Sequence, residues 1–208
     1  PVGLFLMWKY KKFNKIARYI ITGLFALAFV VVLAGGPQET EQQAEQTPDE
    51  SEVVDVEAEQ KEADEALKNA ILQFEKEIYA TEEPALLAIE NYTSQANRLA
   101  EGEVSIYDVY KAASIAKEKC KQVQHAYYKI EVPKVGKEIE ELLKDTKSEL
   151  STAYMVKAEA FDSAMAFLDN QKPSDLQKFE DRAVEADKFI MSAVKHLFEA
   201  KDRSEERR

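Results

Sequence analysis

The chain has 208 residues, with 28 lysines and arginines against 39 aspartates and glutamates and a formal net charge of −11. That balance argues against nucleic-acid binding, which needs a basic surface to displace phosphate counterions. Its one cysteine, Cys120, excludes an intramolecular disulfide, so the fold rests on its core without covalent staples.

The charges are unevenly placed. Residues 1–36 carry five bases (Lys9, Lys11, Lys12, Lys15 and Arg18) and no acid, whereas residues 37–66 carry twelve acids against Lys61 alone. Acidity therefore belongs to the second segment. Residues 1–18 form a basic N-terminal segment, followed by residues 19–36 (YIITGLFALAFVVVLAGG), eighteen positions without a charge. A bilayer span takes about 20 apolar residues and a signal-peptide core about 7 to 15, so length places this segment between the two classes. Bases before it and acids after it predict an N-terminus on the cytoplasmic side and the rest of the chain outside. The expectation is a single-pass cell-membrane protein with its C-terminal domain outside, or a secreted one if a peptidase cuts after Ala34, where Val32 and Ala34 are small enough to be read. Either an initiator methionine preceded Pro1 or the natural start is Met7; a start at Met7 sets basic segment, apolar core and small-residue end in the order of an export signal.

At the end of this segment, Leu33, Ala34, Gly35 and Gly36 resemble the Leu-Ala-Gly-Cys box of bacterial lipoproteins, with glycine where the lipidated cysteine should stand. The chain thus resembles membrane-anchored or lipoprotein-type extracytoplasmic helical proteins of the Gram-positive cell surface, a family without a characterised activity. The resemblance covers the leader and the general layout. It implies display outside the cell, held by an uncleaved helix or released, because lipidation needs a thiol and Gly36 has none. It carries over no functional residue.

Residues 37–55 are rich in Glu, Gln, Thr and Pro and nearly free of large apolar side chains, so they cannot bury enough surface to offset chain entropy. They read as an acidic disordered stalk. From residue 56 the pattern turns helical and continues to about 203, with residues 204–208 as a tail. Ala63, Leu67, Ala70, Phe74 and Ile78 recur at helical spacing and predict a first helix ending near residue 80. Pro84 suits the first turn of a new helix, which carries Leu86, Ile89, Tyr92 or Thr93, Ala96 and Leu99 and stops at Gly102. Ser105 and Asp108 form a capping box for a third helix. Val109, Ala113, Ala116, Cys120, Val123, Tyr127 and Ile130 then alternate steps of four and three, as packing along a partner demands. Pro133 stops it.

Residues 137–170 make the longest helical run, with two apolar rows: Leu143, Leu150, Tyr154, Phe161, Ala164 and Leu168, and Ile139, Leu142, Thr146, Ala153, Val156, Ala160 and Phe167. A face that broad belongs to a helix with two neighbours. Lys157 interrupts it, to snorkel at the rim or pair with a carboxylate. Ser174 as N-cap with Gln177 opens the last helix, whose seam is Leu176, Phe179, Ala183, Ala186, Ile190, Ala193 and Leu197. The fold class expected is all-α: an elongated antiparallel up-and-down bundle of three long helices plus an N-terminal helix pair.

Candidate sites are few. His125 lies between seam positions and faces solvent, and His196 flanks Leu197; neither has the Glu-x-x-His or zinc-ligand spacing of a metal site. Cys120 stands on the seam as a small core hydrophobe. No Gly-x-Ser-x-Gly turn or phosphate loop appears. No cofactor and no catalytic residue is expected. Tyr107 and Tyr128 fall off the seam and are the candidate contact surface, since tyrosine is enriched where proteins bind. The bland alternative is that they lie against neighbouring helices. The reading is a non-enzymatic, membrane-tethered extracytoplasmic module that contacts another protein or an envelope component. Its alternatives are a ligand-binding bundle with a pocket lined by Tyr110, Tyr127, Tyr154 and Phe161, and an enzyme without a recognisable motif.

Overall fold

A computed structural model describes residues 53–206, and every described element is an α-helix: α1 (Val53–Glu101), α2 (Ile106–Tyr127), α3 (Lys137–Asn170) and α4 (Pro173–Glu206). The all-α bundle is thus observed. The basic segment, the apolar segment 19–36 and nearly all of the acidic stretch 37–55 lie outside the described residues; Val53 already belongs to α1. Among the described residues no helix is long and apolar enough to cross a membrane. The chain divides into two units, Pro1–Glu65 and Ala66–Arg208. Of the first, only the opening of α1 is described, and the bundle belongs to the second.

Helix α3 is the axis of that unit. It buries both of its predicted rows: Leu143, Leu150, Tyr154, Phe161, Ala164 and Leu168 on one, and Ile139, Thr146, Ala153, Val156 and Ala160 on the other, with Leu142 and Phe167 half-buried. Two rows need two partners, and α2 and α4 supply them. Lys117 of α2 pairs with Asp162 at 2.5 Å, while Lys147 of α3 donates to the Ile130 carbonyl at 3.0 Å. On the other flank Arg182 of α4 reaches Glu159, and Arg203 reaches Glu138. On each flank the position along one helix rises as its partner's position falls, from Lys117–Asp162 to Ile130–Lys147 and from Arg182–Glu159 to Arg203–Glu138, so neighbours run in opposite directions.

Alanine sets the spacing. Ala112, Ala113 and Ala116 on α2, Ala153, Ala158, Ala160 and Ala164 on α3, and Ala186, Ala193 and Ala200 on α4 are all buried. Side chains this small let backbones approach, and α3 packs backbone-close against both α4 and α2. Helix α1 stands farther off because it meets the others through Ile71, Phe74, Ile78, Ile89 and Tyr92. The Tyr92 ring meets Phe161 of α3 edge-on at 5.1 Å between centroids and Phe179 of α4 at 6.2 Å.

The predicted N-terminal helix pair is corrected to one helix of 49 residues with Pro84 inside it. Proline there removes one backbone donor and crowds the carbonyl of Ala80. Both residues are exposed, so water can serve the freed carbonyl, and the side chains on either side stay in one seam: Ile71, Phe74 and Ile78 before the proline, Ala85, Ile89, Tyr92 and Ala96 after it. Burying each large apolar side chain is worth about 1.5–3 kcal/mol, which together exceeds the roughly 3 kcal/mol that an interior proline costs. Packing overrides the local signal.

The caps are mixed. Ser105 and Asp108 form the expected capping box, the serine hydroxyl accepting from the Asp108 amide and the Asp108 carboxylate accepting from the Ser105 amide. At the last connection α4 begins at Pro173, two residues earlier than a Ser174 cap allows, because proline is already set for the first helical position. Asn170 spans this turn, accepting from the Lys172 amide at 2.7 Å and donating to Asp175 at 2.9 Å.

A continuous α1 makes a distinct prediction. Pro84→Ala restores an interior hydrogen bond and should stabilise the protein by about 1–3 kcal/mol with unchanged helix content, measured by urea unfolding followed by circular dichroism. Were residue 84 the start of a separate helix, the substitution would be neutral or destabilising.

Candidate functional site

Carrying the α1 seam across Pro84 places a carboxylate inside the bundle. Glu82 occupies the turn between Ile78 and Ala85 and is buried. Its partner comes from α2: the Tyr127 hydroxyl donates to Glu82 Oε1 at 2.6 Å, and Tyr127 itself is wholly enclosed. Tyr154 of α3 lies alongside, 6.1 Å from Tyr127 between ring centroids, and the Lys157 ammonium sits 4.9 Å from the Tyr154 ring. Three helices meet at this one polar cluster.

Its electrostatics follow from burial. Desolvation raises the Glu82 pKa, opposed by the Tyr127 hydrogen bond and the positive charge of Lys157. The Tyr127 hydroxyl is pushed far above its usual range by burial and then by the Glu82 charge, and burial likewise raises Tyr154. Both phenols stay protonated, so Tyr127 remains a donor. Cys120 lies near enough to feel Lys157, yet burial pushes its thiol up to about 12, which removes the thiolate that nucleophilic chemistry would need. Lys157 also reaches Asp187 of α4 electrostatically. The lysine that the sequence left between snorkelling and pairing lies against an aromatic ring among carboxylates.

A second polar group ties α3 to α4. Ser192 Oγ donates to Glu149 Oε1 at 2.8 Å, and Glu149 Oε2 faces His196 Nδ1 at 3.4 Å. At that separation and angle neither buried atom completes a hydrogen bond. The three residue types are those of a hydrolytic triad, but the order is wrong: the serine donates to the carboxylate, so the imidazole is not placed to take its proton. One turn away, Thr146 Oγ1 donates to Leu142 O at 2.8 Å and lies 3.4 Å from Ala193 O, another tie between the same helices.

Of the residues named for a ligand pocket, Tyr127 and Tyr154 lie against each other and Phe161 lies against Tyr92 and Phe179. Tyr127, Tyr154 and Phe161 are buried in the ring contacts described above, and Tyr110 is half-buried. His125 is exposed, 6.4 Å from the Tyr128 ring. Among the described residues, no group of three or more His, Cys, Asp or Glu stands where it could hold a metal ion.

The two tyrosines read as a contact surface are both exposed, Tyr107 at 72% and Tyr128 at 68%. They sit at opposite ends of α2, however, about 30 Å apart at 1.5 Å per residue, and do not form one patch. A more continuous surface lies on α4. Val184, Met191 and Phe198 are exposed at 57%, 70% and 43% and fall seven residues apart, which lines them along one face. Lys201 links this face to α1: its ammonium lies 5.8 Å from the Phe198 ring and donates to Glu75 Oε1 at 2.7 Å, the same oxygen that accepts from Tyr79. Tyr79, exposed on α1, adjoins it through Glu75. The sequence did show this stripe, as apolar residues left over once the Leu176-to-Leu197 seam is assigned.

The chain matches no protein-family model, no curated protein and no solved structure.

Glu82 and Tyr127 give a prediction with a definite pH sign. Because the folded pKa of Glu82 lies above its unfolded value, its contribution to stability is fully present at acid pH and is lost as pH rises through the folded pKa. Glu82→Gln should therefore be more stable than the native chain at neutral pH, with the difference closing as pH falls below the ordinary glutamate range of about 4.3. A difference that widens on acidification would show that the charge is favourable. Tyr127→Phe, which strips the carboxylate of its donor, should cost about 1–3 kcal/mol at neutral pH in the same denaturation assay.

Proposed function

We propose that this chain is a membrane-tethered, extracytoplasmic helical-bundle module that works by contact with another protein or envelope component, without catalysis. The observation that carries the reading is the apolar stripe of Val184, Met191 and Phe198 on the outer face of α4. Exposed apolar residues are ordinary when scattered; a regular row on one helix, rimmed by Asp187, Lys188 and Lys195, has the composition of a contact surface. Around it the interior chemistry is occupied. Glu82 is held by Tyr127, Glu149 by Ser192, and the Cys120 thiol is locked in its protonated form.

The tether rests on the sequence. Eighteen uncharged residues between a basic and an acidic segment support an N-terminal anchor with the bundle outside.

Two measurements test the two halves. Protease added to intact cells should remove the bundle epitope, and protection of that epitope would overturn the outside orientation. A photo-reactive amino acid at Met191 of the full chain should give discrete adducts in cells, whereas one at exposed Asn91 on α1 should not. Equal, diffuse labelling at both positions would remove the contact reading.

A further inference from the structure

Methionine brings the one readily oxidised atom to the α4 stripe. Its thioether sulfur carries a lone pair that peroxides attack, and the product, a sulfoxide, turns an apolar side chain into a polar one. Access of the oxidant decides which methionine reacts. Met191 is 70% exposed, Met155 on α3 is 39% exposed, and Met165 on α3 is half-buried. Met191 is therefore the most open thioether among the described residues, and it makes no hydrogen bond or ring contact there that would shield its sulfur.

Its position gives the reaction a consequence. Val184 lies seven residues before it and Phe198 seven after, so the sulfur stands at the midpoint of the exposed row. A partner covering that row would have to bury the sulfoxide oxygen, a strong acceptor, against apolar side chains, and an acceptor buried without a donor is costly. Met155 has no such setting. Its neighbours on the helix surface include Thr152 and Glu159, so an oxygen added there joins a polar face.

We propose that Met191 is an oxidative modification site, at which a peroxide converts the thioether to the sulfoxide and thereby switches off contact through the α4 row. The sulfur lone pair takes one oxygen of the peroxide, the O–O bond breaks, and the departing oxygen collects the proton of the transferred hydroxyl and leaves as water. Sulfur loses two electrons and the peroxide gains them, so no other reactant is needed. The core is untouched, because Met191 lies outside it. This inference rests on the contact reading above and adds its regulation.

Two readouts test it on the full chain. The first needs no partner: in detergent with hydrogen peroxide, peptide mass mapping should show Met191 gaining one oxygen about twice as fast as Met155, in proportion to their exposures, with Met165 last. Equal or faster oxidation of Met155 or Met165 overturns the site. Circular dichroism of the oxidised chain should match that of the untreated chain, and lost helix content would place the effect in the fold and overturn the switch.

The second readout uses a photo-reactive amino acid at Val184 in cells. Its adducts should fall about tenfold after peroxide treatment, and equally in untreated Met191→Gln, because either change puts an unmatched polar group in the row. They should persist in peroxide-treated Met191→Leu, which keeps the bulk and apolar character without the sulfur. Adducts that survive oxidation of Met191, or that vanish equally in Met191→Leu, overturn the proposal while the contact reading stands. If neither the Val184 nor the Met191 probe gives discrete adducts in untreated cells, the contact reading itself fails and takes the switch with it.

Discussion

The constraint from which the rest of the bundle follows is that α3 carries two apolar rows and one neighbouring helix can cover only one of them. Helices α2 and α4 flank α3, and the alanines of all three let the backbones close on each other. Ile139, Leu143, Leu150 and Tyr154 are then withdrawn from water over most of the length of the helix. Hydrogen bonds across these contacts, such as Thr146 to Ala193 O and Lys147 to Ile130 O, fix how the helices slide along one another. Each is worth little net, but an unmatched polar group at these places would be costly, and this asymmetry makes the register specific.

Helix α1 completes the unit on different terms. Its larger side chains hold it away from the alanine seams, and its centre combines an exposed Pro84 with a buried Glu82 two residues earlier. Each is unfavourable alone. They are tolerated because the aliphatic and aromatic residues on both sides are already committed to the core, and because Tyr127 supplies a donor where the carboxylate must lie. A buried carboxylate stabilises less than a well-packed leucine would, but it accepts only a partner that presents a hydrogen at the right place, which ties α1 to one position along α2.

What stays on the surface bears on use. The helix that contributes Phe179, Ala186, Ala193 and Leu197 to the core also presents Val184, Met191 and Phe198 to solvent, so α4 is apolar on two faces where one suffices for folding. The surplus is regular, three apolar residues at steps of seven along one face of the helix. Order of that kind distinguishes a surface made for a partner from apolar residues left by chance.

Apolar periodicity suffices to place α2, α3 and α4 and the faces they turn inward, although Leu176, Ala183 and Ile190 of the α4 row are only half-buried. All seven seam positions from Val109 to Ile130 are buried, as are both α3 rows apart from the half-buried Leu142 and Phe167. A helix with a repeating apolar row has only one way to bury it, so for these elements the pattern suffices. The continuity of α1 could not be decided locally, because Thr81-Glu82-Glu83-Pro84 carries every mark of a helix boundary and only neighbours packed on both sides of the proline outweigh them. Glu82 was hidden for the same reason, since a carboxylate beside a presumed break reads as solvated until Tyr127, 45 residues away along the chain, is brought to 2.6 Å. Tyr107 and Tyr128 are legible as exposed because they fall off the α2 seam, but the length of helix between them keeps them from forming one surface. Sequence fixes what a segment needs to bury, whereas the tertiary structure alone decides which unfavourable residues are compensated, because compensation comes from side chains distant in sequence.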